Sequence, residues 1–463
     1  MNIETNRRQF IAGAGALTVG VALPGVKARA GVQSSRFPLN PEKLASYISI
    51  NGDGSAVGWI GKVDMGQGTD IGWAQMIAEE LDLPVDKVTI VQGDTNATVH
   101  MGGASGSTGI WKGGATMRNT AAEARRLLVE MAAEKLGVKV DDLVVDNGVV
   151  SAKGDAAKRV SYGELIGGKH FDAVVEWNKK FGNDLEAKGH AKPKAPKDYK
   201  IVGKASPRRR DIDAKILGAH EYMVDAKAEG MLHGRVIRPK VAGATPTAID
   251  ESSIADIPGA KVVWEKGFVG VVAPREWHAI KASRQLKITW SDAKPNFPGH
   301  AKIYDHIRAA PVIHRDVDKE KGKIDEHFAK AAKVFEATYE WPFQSHASMA
   351  PACGLVDVKP DSARMWSGTQ KPHAAAEGVA KYLGLPVEKV TCTSMTGPGS
   401  YGRNDAGDAG MDAAVLSKAV GRPVRVQGMR HEGTAWDPKA PASVQDRKST
   451  RLNSSHITIS YAV

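Results

Sequence analysis

Residues 56–81 read AVGWIGKVDMGQGTDIGWAQMIAEEL, and this stretch decides how the chain folds. Its start continues an alternating pattern that begins near residue 45 and reverses at the turn-forming tetrad 51–54, so residues 45–62 are predicted to form a β-hairpin. From Thr69 onwards the apolar residues recur at helical spacing, which predicts a helix over about 69–82 with Thr69 as its N-cap. A strand, a glycine-rich turn and a helix therefore follow one another directly.

The rest of the chain continues this mixture of strands and helices. After a strand at 88–91, a glycine-rich loop at 102–114 leads into a long helix that ends at Leu136. Beyond residue 211 the pattern predicts strands at 231–237, 268–272 and 286–290, a helix near 277–283, a charged bridge at 291–327 and a mixed region at 328–445. Strands and helices mixed in this way predict the α+β class.

One short pattern recurs three times along the chain. Residues 81–88, 136–143 and 383–390 each join a leucine at the end of a predicted helix to a predicted strand through similar turn residues. We interpret them as one helix-to-strand unit that is used repeatedly, which indicates related substructures.

Length and composition exclude several classes of protein. The 463 residues suffice for about three domains. With 42% hydrophobic and 25% charged residues, the composition excludes global disorder, collagen-like sequence and a coiled coil. Cys353 and Cys392 are the only cysteines, too few for a disulfide scaffold, a four-thiolate iron–sulfur cluster or a cysteine-rich zinc site. We predict two separate buried thiols.

The net charge of +11 is concentrated in three segments. Residues 179–210 hold eleven Lys or Arg against three acids, and 1–30 and 446–463 carry smaller positive excesses, so the remainder is slightly acidic. No basic helix interleaved with aromatic residues occurs, which argues against nucleic-acid binding. Because residues 180–210 are rich in lysine and proline, we predict a basic linker there, exposed and readily cut by trypsin.

The two ends of the chain have unusual patterns. Arg7 and Arg8 precede an uncharged run and an Ala-Arg-Ala site, which predicts a twin-arginine export signal over 1–30 and a periplasmic location. The alternative, an N-terminal membrane anchor, fits poorly because glycines interrupt a short run. Residues 446–463 break with the preceding pattern and resemble translated adaptor sequence; the alternative is a polar tail that ends in a short strand.

Three glycine-rich segments stand at or just before predicted helix starts. We name them the first glycine loop (66–69), the second glycine loop (102–109) and the third glycine loop (397–402). Glycines let backbone N–H groups approach an anion closely, and a helix behind them adds favourable partial charge. One such loop is more often a tight turn, whereas three in one chain favour a phosphate-bearing cofactor.

The third glycine loop also satisfies G-x-G-x-x-G, the dinucleotide-binding fingerprint. A nicotinamide-dependent dehydrogenase is therefore one alternative, although the preceding strand is studded with polar residues and no acid ends the next strand. An exported binding or assembly protein without catalysis is another. P-loop, zinc-protease and serine-elbow motifs are absent from the sequence. His346 and His431 are candidate bases by residue type alone.

In its glycine-rich segments and several neighbouring stretches, the sequence resembles the molybdopterin-binding large subunits of the xanthine dehydrogenase and aldehyde oxidase family. The resemblance is greatest to the isoquinoline 1-oxidoreductase beta subunits. The resemblance covers about 36–445. It rests on the D-M-G-Q-G segment at 63–69 with 77–81, the glycine segment at 103–108, a stretch similar to the family's hammerhead domain at 203–234, the Gln-Ser-His segment at 343–349 and the Gly-Ser-Tyr-Gly-Arg segment at 399–403.

The resemblance implies hydroxylation of an electron-poor carbon, in an N-heterocycle or an aldehyde, with oxygen from water and release of two electrons. It implies a molybdopterin cofactor, in the cytosine dinucleotide form, with Gln344 hydrogen-bonded to the molybdenum centre rather than ligating it. The expected cofactor-binding residues are Gly66, Gln67, Gly68, Gly103, Ser105, Gly106, Gln344, Gly399, Ser400, Tyr401, Gly402 and Arg403. With two cysteines, the chain needs a small 2Fe–2S partner subunit, and a cytochrome c is a further candidate partner.

The sequence also departs from the family. Tyr401 stands where the family has phenylalanine, and Ala350 replaces the glutamate that many members place before the proline. The family's catalytic glutamate and its later glycine-rich segment are expected in a C-terminal half that the sequence lacks, so we expect an incomplete enzyme and assign no catalytic base. Glu432 is the nearest tempting carboxylate, but its surroundings resemble a strand-end segment.

The resemblance predicts a division into domains. The expected parts are a signal peptide (1–30), an N-terminal molybdopterin-binding-like domain (31–179), the basic linker (180–210), an α/β hammerhead domain (211–295), the first half of the main molybdopterin-binding domain (296–445) and an artefactual tail (446–463).

Overall fold

The computed structural model describes residues 39–166, 169–204, 206–316, 321–401, 404, 406–452 and 455–462. The predicted export signal lies outside these residues. The α-helices are Thr69–Leu81 (α1), Ala115–Leu136 (α2), Tyr162–Ile166 (α3), Ile212–Ile216 (α4), Glu276–Gln285 (α5), Ile303–Ala309 (α6), Ile324–Ala329 (α7), Pro372–Leu383 (α8), Ala406–Val420 (α9) and Arg430–Trp436 (α10).

The strands are Ile48–Ile50 (β1), Ala56–Ile60 (β2), Val88–Gln92 (β3), Leu143–Asp146 (β4), Val149–Ala152 (β5), Asp155–Ser161 (β6), Glu176–Trp177 (β7), Ala187–Lys188 (β8), Leu232–Val236 (β9), Pro246–Asp250 (β10), Lys261–Glu265 (β11), Phe268–Ala273 (β12), Lys287–Trp290 (β13), Val334–Trp341 (β14), Gln344–Ser345 (β15), Cys353–Lys359 (β16), Ser362–Ser367 (β17), Val390–Ser394 (β18), Val424–Gln427 (β19), Lys439–Ala440 (β20), Ser443–Leu452 (β21) and Ser455–Ala462 (β22). Helices and strands are mixed throughout, which confirms the predicted α+β class.

The N-terminal region is a small sheet covered by two helices. The predicted hairpin is confirmed, since β1 pairs with β2 in antiparallel register, and β3 adds to β2 in parallel. Helices α1 and α2 bury their apolar sides on this sheet in one core. A Cβ atom at Gly58 would lie 2.4 Å from the Ile77 side chain, so the strand must carry glycine where α1 crosses it.

The recurring helix-to-strand pattern is confirmed by the backbone. Helices α1, α2 and α8 all end at a residue in the left-handed conformation, namely Asp82, Gly137 and Gly384. A short 3₁₀ turn follows in each case and leads straight into a strand. The left-handed residue reverses the chain within a few positions, which explains why similar residues recur at the three places.

The second half is organised by one seven-stranded mixed sheet with the order β11-β12-β9-β19-β16-β17-β18. Helices α8 and α9 pack on it over a second apolar core. Strands from both sides of the predicted boundary at 295 and 296 belong to this sheet. The hammerhead boundary therefore stays a prediction from resemblance and is not a break between sheets.

The backbone of the basic linker, which the sequence predicts to be an exposed connector, is bound to α1 and α2 by three acids. The side chains of Glu79, Glu80 and Glu123 are almost fully buried. Each accepts hydrogen bonds from linker backbone N–H groups, at Lys200 to Val202, at Lys194 and at Ala191 respectively. Most of the linker lysines still point outwards.

Residues 334–341 pair with the end of the chain. Strand β14 is antiparallel to β21, which is antiparallel to β22, so the predicted tail at 446–463 contributes to a three-stranded sheet. That pairing matches the alternative of a tail that ends in a strand; the adaptor origin of the sequence stays a prediction. The charged bridge at 291–327 contains α6 and part of α7.

Two further predictions can be compared with the described residues. Cys353 and Cys392 are buried free thiols, which confirms the prediction that they are separate. Burial raises the pKa of the Cys353 thiol to about 12. No helix in the described part of the chain is long and apolar enough to cross a bilayer.

Candidate functional site

The candidate site lies at a seam between the N-terminal region and the seven-stranded sheet. Just beyond β3, the Thr95 N–H donates to the Cys392 carbonyl at 3.0 Å, and the Ser394 N–H donates to the Gly93 carbonyl at 2.9 Å. These bonds connect the end of β3 to β18. The second glycine loop follows β3 and the third follows β18, so the seam brings the two loops together.

The first glycine loop is organised by the carboxylate of Asp64. That carboxylate accepts hydrogen bonds from the N–H groups of Gly66 at 2.7 Å, Gly68 at 3.2 Å and Asp70 at 3.0 Å. Gly68, in the left-handed conformation, is the N-cap of α1, and Thr69 is its first residue, so the prediction of Thr69 as the cap was wrong. The donors of Gly66 and Gly68 are already occupied, which argues against a phosphate on them.

The Gln67 side chain is also engaged within the first glycine loop. Its carbonyl oxygen accepts a hydrogen bond from the Met65 N–H at 2.7 Å. The amide nitrogen of the same side chain takes no part in the hydrogen bonds found among the described residues. Gln67 therefore remains a candidate cofactor contact through its amide, whereas the glycines on either side serve the helix start.

The second glycine loop keeps several backbone donors free. The Ala104 N–H donates to the Gln370 carbonyl at 3.0 Å and the Thr108 N–H donates to the Ser105 carbonyl at 3.2 Å. No hydrogen bond within the described part of the chain uses the N–H groups of Gly103, Ser105, Gly106 or Ser107. Gly106 and Ser107 both have positive φ at the exposed tip of this loop. Successive backbone N–H groups in a turn form anion-binding concavities, so this loop fits a phosphate.

A buried lysine lies beneath the second glycine loop. The Lys62 side chain is 1% exposed, and its ammonium donates to the Gly103 carbonyl at 3.2 Å, the Thr108 hydroxyl at 3.0 Å and the Asn183 side-chain carbonyl at 2.9 Å. Burial lowers the pKa of Lys62 to about 8. The lysine places positive charge close to the loop whose donors are free.

Gln370 connects the second glycine loop to the third. Its side-chain amide donates to the Ala104 carbonyl at 2.9 Å, and its side-chain carbonyl accepts from the Asn404 N–H at 3.1 Å. Asn404 in turn donates to the Gly399 carbonyl at 3.0 Å. The two loops are therefore joined through two buried amide side chains.

The predicted Gln344 segment reaches the same place. The His346 ring lies 3.2 Å from the Tyr401 carbonyl, and its Nδ1 must donate because a carbonyl only accepts. Gln344 is exposed on the two-residue strand β15, and the Tyr401 side chain is 61% exposed. Both side chains are thus available to a ligand, whereas the predicted Gly402 and Arg403 lie outside the described residues.

Two stacked histidines, one from each side, lie in contact at the seam. The rings of His100 and His373 lie 4.6 Å apart and nearly parallel. The Nε2–H of His373 donates to the Thr98 carbonyl at 3.1 Å, while its buried Nδ1 has no partner. Burial, the largest cause, and the neighbouring His100 lower the pKa of His373 to about 4, although the hydrogen bond to Thr98 acts in the opposite direction.

Several of these residues escaped prediction from the sequence. Lys62, Asn183, Gln370 and Asn404 organise the site through contacts between residues far apart in the chain. One signal was available: Lys62 is the single charged residue in the otherwise apolar run 56–63. Glu432 is also clarified, since it caps α10 by accepting from the Met429 N–H at 2.6 Å, and its segment is a helix rather than a strand end.

The site does not fit the nicotinamide-dinucleotide alternative. In that fold the strand before the glycine fingerprint and the strand after the next helix are parallel neighbours. Here β18 lies at the edge of the sheet beside β17, while β19 lies between β9 and β16. No cluster of three or more His, Cys, Asp or Glu side chains among the described residues could hold a metal ion.

Sequence comparison identifies what the glycine loops belong to. A family described as a molybdopterin cofactor-binding domain matches residues 3–207, and a second family with the same description matches residues 306–454. The chain belongs to the xanthine dehydrogenase and aldehyde oxidase family. This family consists of molybdopterin-binding oxidoreductases, and its two matched segments contain all three glycine loops.

The chain is also similar to several named oxidoreductases. The chain is 37% identical over 413 residues to one of the subunits of nicotinate dehydrogenase from Pseudomonas putida, covering 87% of this chain and 33% of that protein. It is 28% identical to a membrane-bound aldehyde dehydrogenase (pyrroloquinoline-quinone) of Gluconacetobacter polyoxogenes, covering 86% and 52%. It is 26% identical to the beta subunit of isoquinoline 1-oxidoreductase from Brevundimonas diminuta, covering 94% and 61%.

The chain spans between a third and three fifths of the length of these relatives. Among solved structures, quinoline 2-oxidoreductase from Pseudomonas putida 86 aligns with a TM-score of 0.43 and 19% identity, over 53% of this chain and 37% of that one. The nicotinate and isoquinoline enzymes are both named as one subunit of a larger enzyme, so these two relatives work together with other chains.

Proposed function

We propose that this chain is the cofactor-binding part of a molybdenum hydroxylase large subunit, which oxidises an N-heterocycle or an aldehyde with water as the oxygen source. The observation that carries the proposal is the seam, where the second and third glycine loops are joined and a buried ammonium lies beside backbone N–H groups that have no hydrogen-bond partner among the described residues. The named relatives, which act on nicotinate, aldehydes and isoquinoline, support the same substrate classes.

The residues of this chain would bind and orient the cofactor. The N–H groups of Ser105, Gly106 and Ser107 would donate to phosphate oxygens. Gln344 and Tyr401 would face the molybdenum end, since both side chains are exposed and His346, two residues after Gln344, contacts the Tyr401 carbonyl. When bound, the molybdenum cofactor supplies two-electron oxidation of the substrate carbon. We assign no residue of this chain as the base, because Glu432 is committed to capping α10.

The finer details rest on the family and the sequence. We infer that the cofactor is the cytosine dinucleotide form, that electrons leave through a small 2Fe–2S partner subunit and then a cytochrome c, and that residues 211–295 are a hammerhead domain. The twin-arginine pattern at 1–30 supports export to the periplasm. The two cysteines are both buried thiols, which supports a separate electron carrier.

The proposed function predicts the consequence of adding one methyl group to the second glycine loop. A Cβ at Gly103 would lie 2.8 Å from the Gln370 carbonyl oxygen, so Gly103→Ala must push the loop away from the seam. We expect the molybdenum and pterin content of protein purified from a molybdate-supplied host to fall at least about tenfold, the range seen when groups supporting a metal site are changed.

A matched control is available at Gly52. A Cβ there meets nothing within 4 Å, so Gly52→Ala should retain the wild-type content of both molybdenum and pterin. Wild-type protein that contains neither molybdenum nor pterin would contradict the proposed function. Equal contents in the two variants would contradict the assignment of the phosphate to the second glycine loop.

A further inference from the structure

The buried ammonium of Lys62 has no access to solvent and no acidic partner. Its three protons are all donated, to a backbone carbonyl, a hydroxyl and an amide carbonyl, and the ion pairs found in the described part of the chain include none with Lys62. Burying an unpaired charge is costly. Such a group persists only where acceptors are held around it, so the three contacts point to a role beyond packing.

The acceptors of Lys62 lie on both sides of the second glycine loop. Gly103 is at the start of the loop and Thr108 is near its end, and the same ammonium bonds to both. The loop between them holds the free N–H groups. Lys62 therefore closes the base of the loop and fixes the separation of its two ends.

Two relays run from Lys62 to Ser105. The Thr108 hydroxyl, which accepts from Lys62, donates to the Ser105 carbonyl at 2.7 Å. The Asn183 carbonyl also accepts from Lys62, and the amide nitrogen of Asn183 donates to the Ser105 hydroxyl at 3.3 Å. Both polar ends of Ser105 are thus oriented by groups that Lys62 holds.

We propose that Lys62 is a positioning residue, whose ammonium holds the second glycine loop in the conformation that presents its free N–H groups to the cofactor phosphates. The inference deepens the proposed function and rests on it for the identity of the ligand. Lys62 does not itself contact the phosphate in this arrangement, because all three of its protons point to protein acceptors.

The arrangement requires the charged form of the lysine. A neutral amine has only two protons to donate and would turn a lone pair towards an oxygen, so one of the three bonds must break. The lowered pKa of Lys62, about 8, places this change within reach of ordinary buffers. The nearby titratable groups are His100, which feels the charge of Lys62, its neighbours His373 and Glu377, and Lys371 and Lys112 beside the loop.

The loop itself can be tested without cofactor. In the wild-type chain, hydrogen exchange of the Ala104 and Thr108 amides, whose N–H groups are hydrogen-bonded, corrected for the intrinsic effect of pH, should show protection at pH 7 that falls about tenfold by pH 9. Lys62→Met keeps the side-chain volume and should lack this protection at both pH values. Thr108→Val, which removes one acceptor and one relay, should lose part of it even if Lys62→Met folds poorly. Lys112→Met, on the adjacent turn, is the control and should match wild type.

Cofactor retention gives the second measurement. For protein isolated with pterin, we expect release at pH 7 to be at least about tenfold faster from Lys62→Met than from wild type. Lys62→Arg, which stays charged, should slow the release at pH 9 relative to wild type. Unchanged exchange of the Ala104 and Thr108 amides in Lys62→Met would overturn the inference, and so would changed exchange with unchanged release. Wild-type protein without pterin would instead refute the proposed function, while the exchange data would still decide what Lys62 does to the loop.

Discussion

Opposite charges control the first and second glycine loops. The Asp64 carboxylate fills the concavity of the first loop and caps α1, whereas the Lys62 ammonium lies behind the second loop and leaves its outer donors free. Since a carboxylate and a phosphate compete for the same N–H groups, two loops with similar glycine content serve different purposes. The glycines alone could not predict this difference, because the side chain that decides it lies outside each loop.

Removing the charge of Asp64 should destabilise the start of α1. In Asp64→Asn the side chain keeps its size, but its amide nitrogen would face backbone N–H donors that it cannot accept from. We expect the free energy of unfolding to fall by about 1 kcal/mol, the usual cost of losing an N-cap. Urea denaturation at pH 7 measures this. The exposed Asp86 supplies the control, and an Asp64→Asn value equal to that of Asp86→Asn would refute the capping role.

The histidine stack should make the seam sensitive to acid. Because the pKa of His373 is lowered to about 4 from an ordinary 6.5, the unfolded chain binds a proton more readily than the folded chain between these values. Its contribution to stability is therefore complete above about pH 6.5 and is lost as the pH falls towards 4, by at most about 3 kcal/mol.

Replacing the histidine tests the sign of this effect. His373→Gln removes the titrating ring but can still donate towards Thr98, so the fall in unfolding free energy between pH 7 and pH 5 should become smaller than in wild type. Lys381→Gln, on the exposed side of the same helix, should leave the wild-type fall intact. A wild-type protein whose stability rises as the pH drops through this range would contradict the assignment.

At the scale of elements, the basic linker shows why composition misled. Lysine and proline content predicts an exposed connector, and most lysine side chains are indeed exposed, yet the linker backbone is bound to acids on α1 and α2. Burial alone would raise the pKa of Glu79, but donors from Lys200, Val202 and Ile201 outweigh it and lower the pKa. The Ile-Ala-Glu-Glu-Leu run could be predicted as helix, but not the reason for its two buried acids.

The attached linker should resist trypsin until Glu79 is changed. Glu79→Gln keeps one acceptor oxygen but loses the charge that holds three N–H groups, at a cost of about 1.5–3 kcal/mol for each charge-assisted bond weakened. We expect wild type to be cut slowly between residues 192 and 204 and the variant several-fold faster, followed by mass spectrometry of the fragments. Glu186→Gln, exposed in the same linker, is the control. Rapid cleavage of wild type at these lysines would show that the linker is not held.

Across the whole molecule, the helices and strands could be predicted from the sequence, whereas the seam that joins the glycine loops could not. The hairpin, α1, α2 and the three helix-to-strand turns follow from local periodicity and left-handed residues, which act over a few positions. The seam does not, because Gln370 and Asn404 reach their partners across the fold. Gln344 could be singled out only by resemblance, and its exposed position opposite Ala440 depends on the pairing of β15 with the distant strand β20.

The proposed cofactor site is tested most directly by the position of the molybdenum atom in crystals of the cofactor-loaded enzyme, found by anomalous scattering at the molybdenum edge. We predict a single peak near the Gln344 and Tyr401 side chains, with phosphate density on the N–H groups of Ser105, Gly106 and Ser107. A peak elsewhere, or phosphates bound at Gly66 and Gly68 in place of the Asp64 carboxylate, would contradict the assignment of the cofactor to the second and third glycine loops.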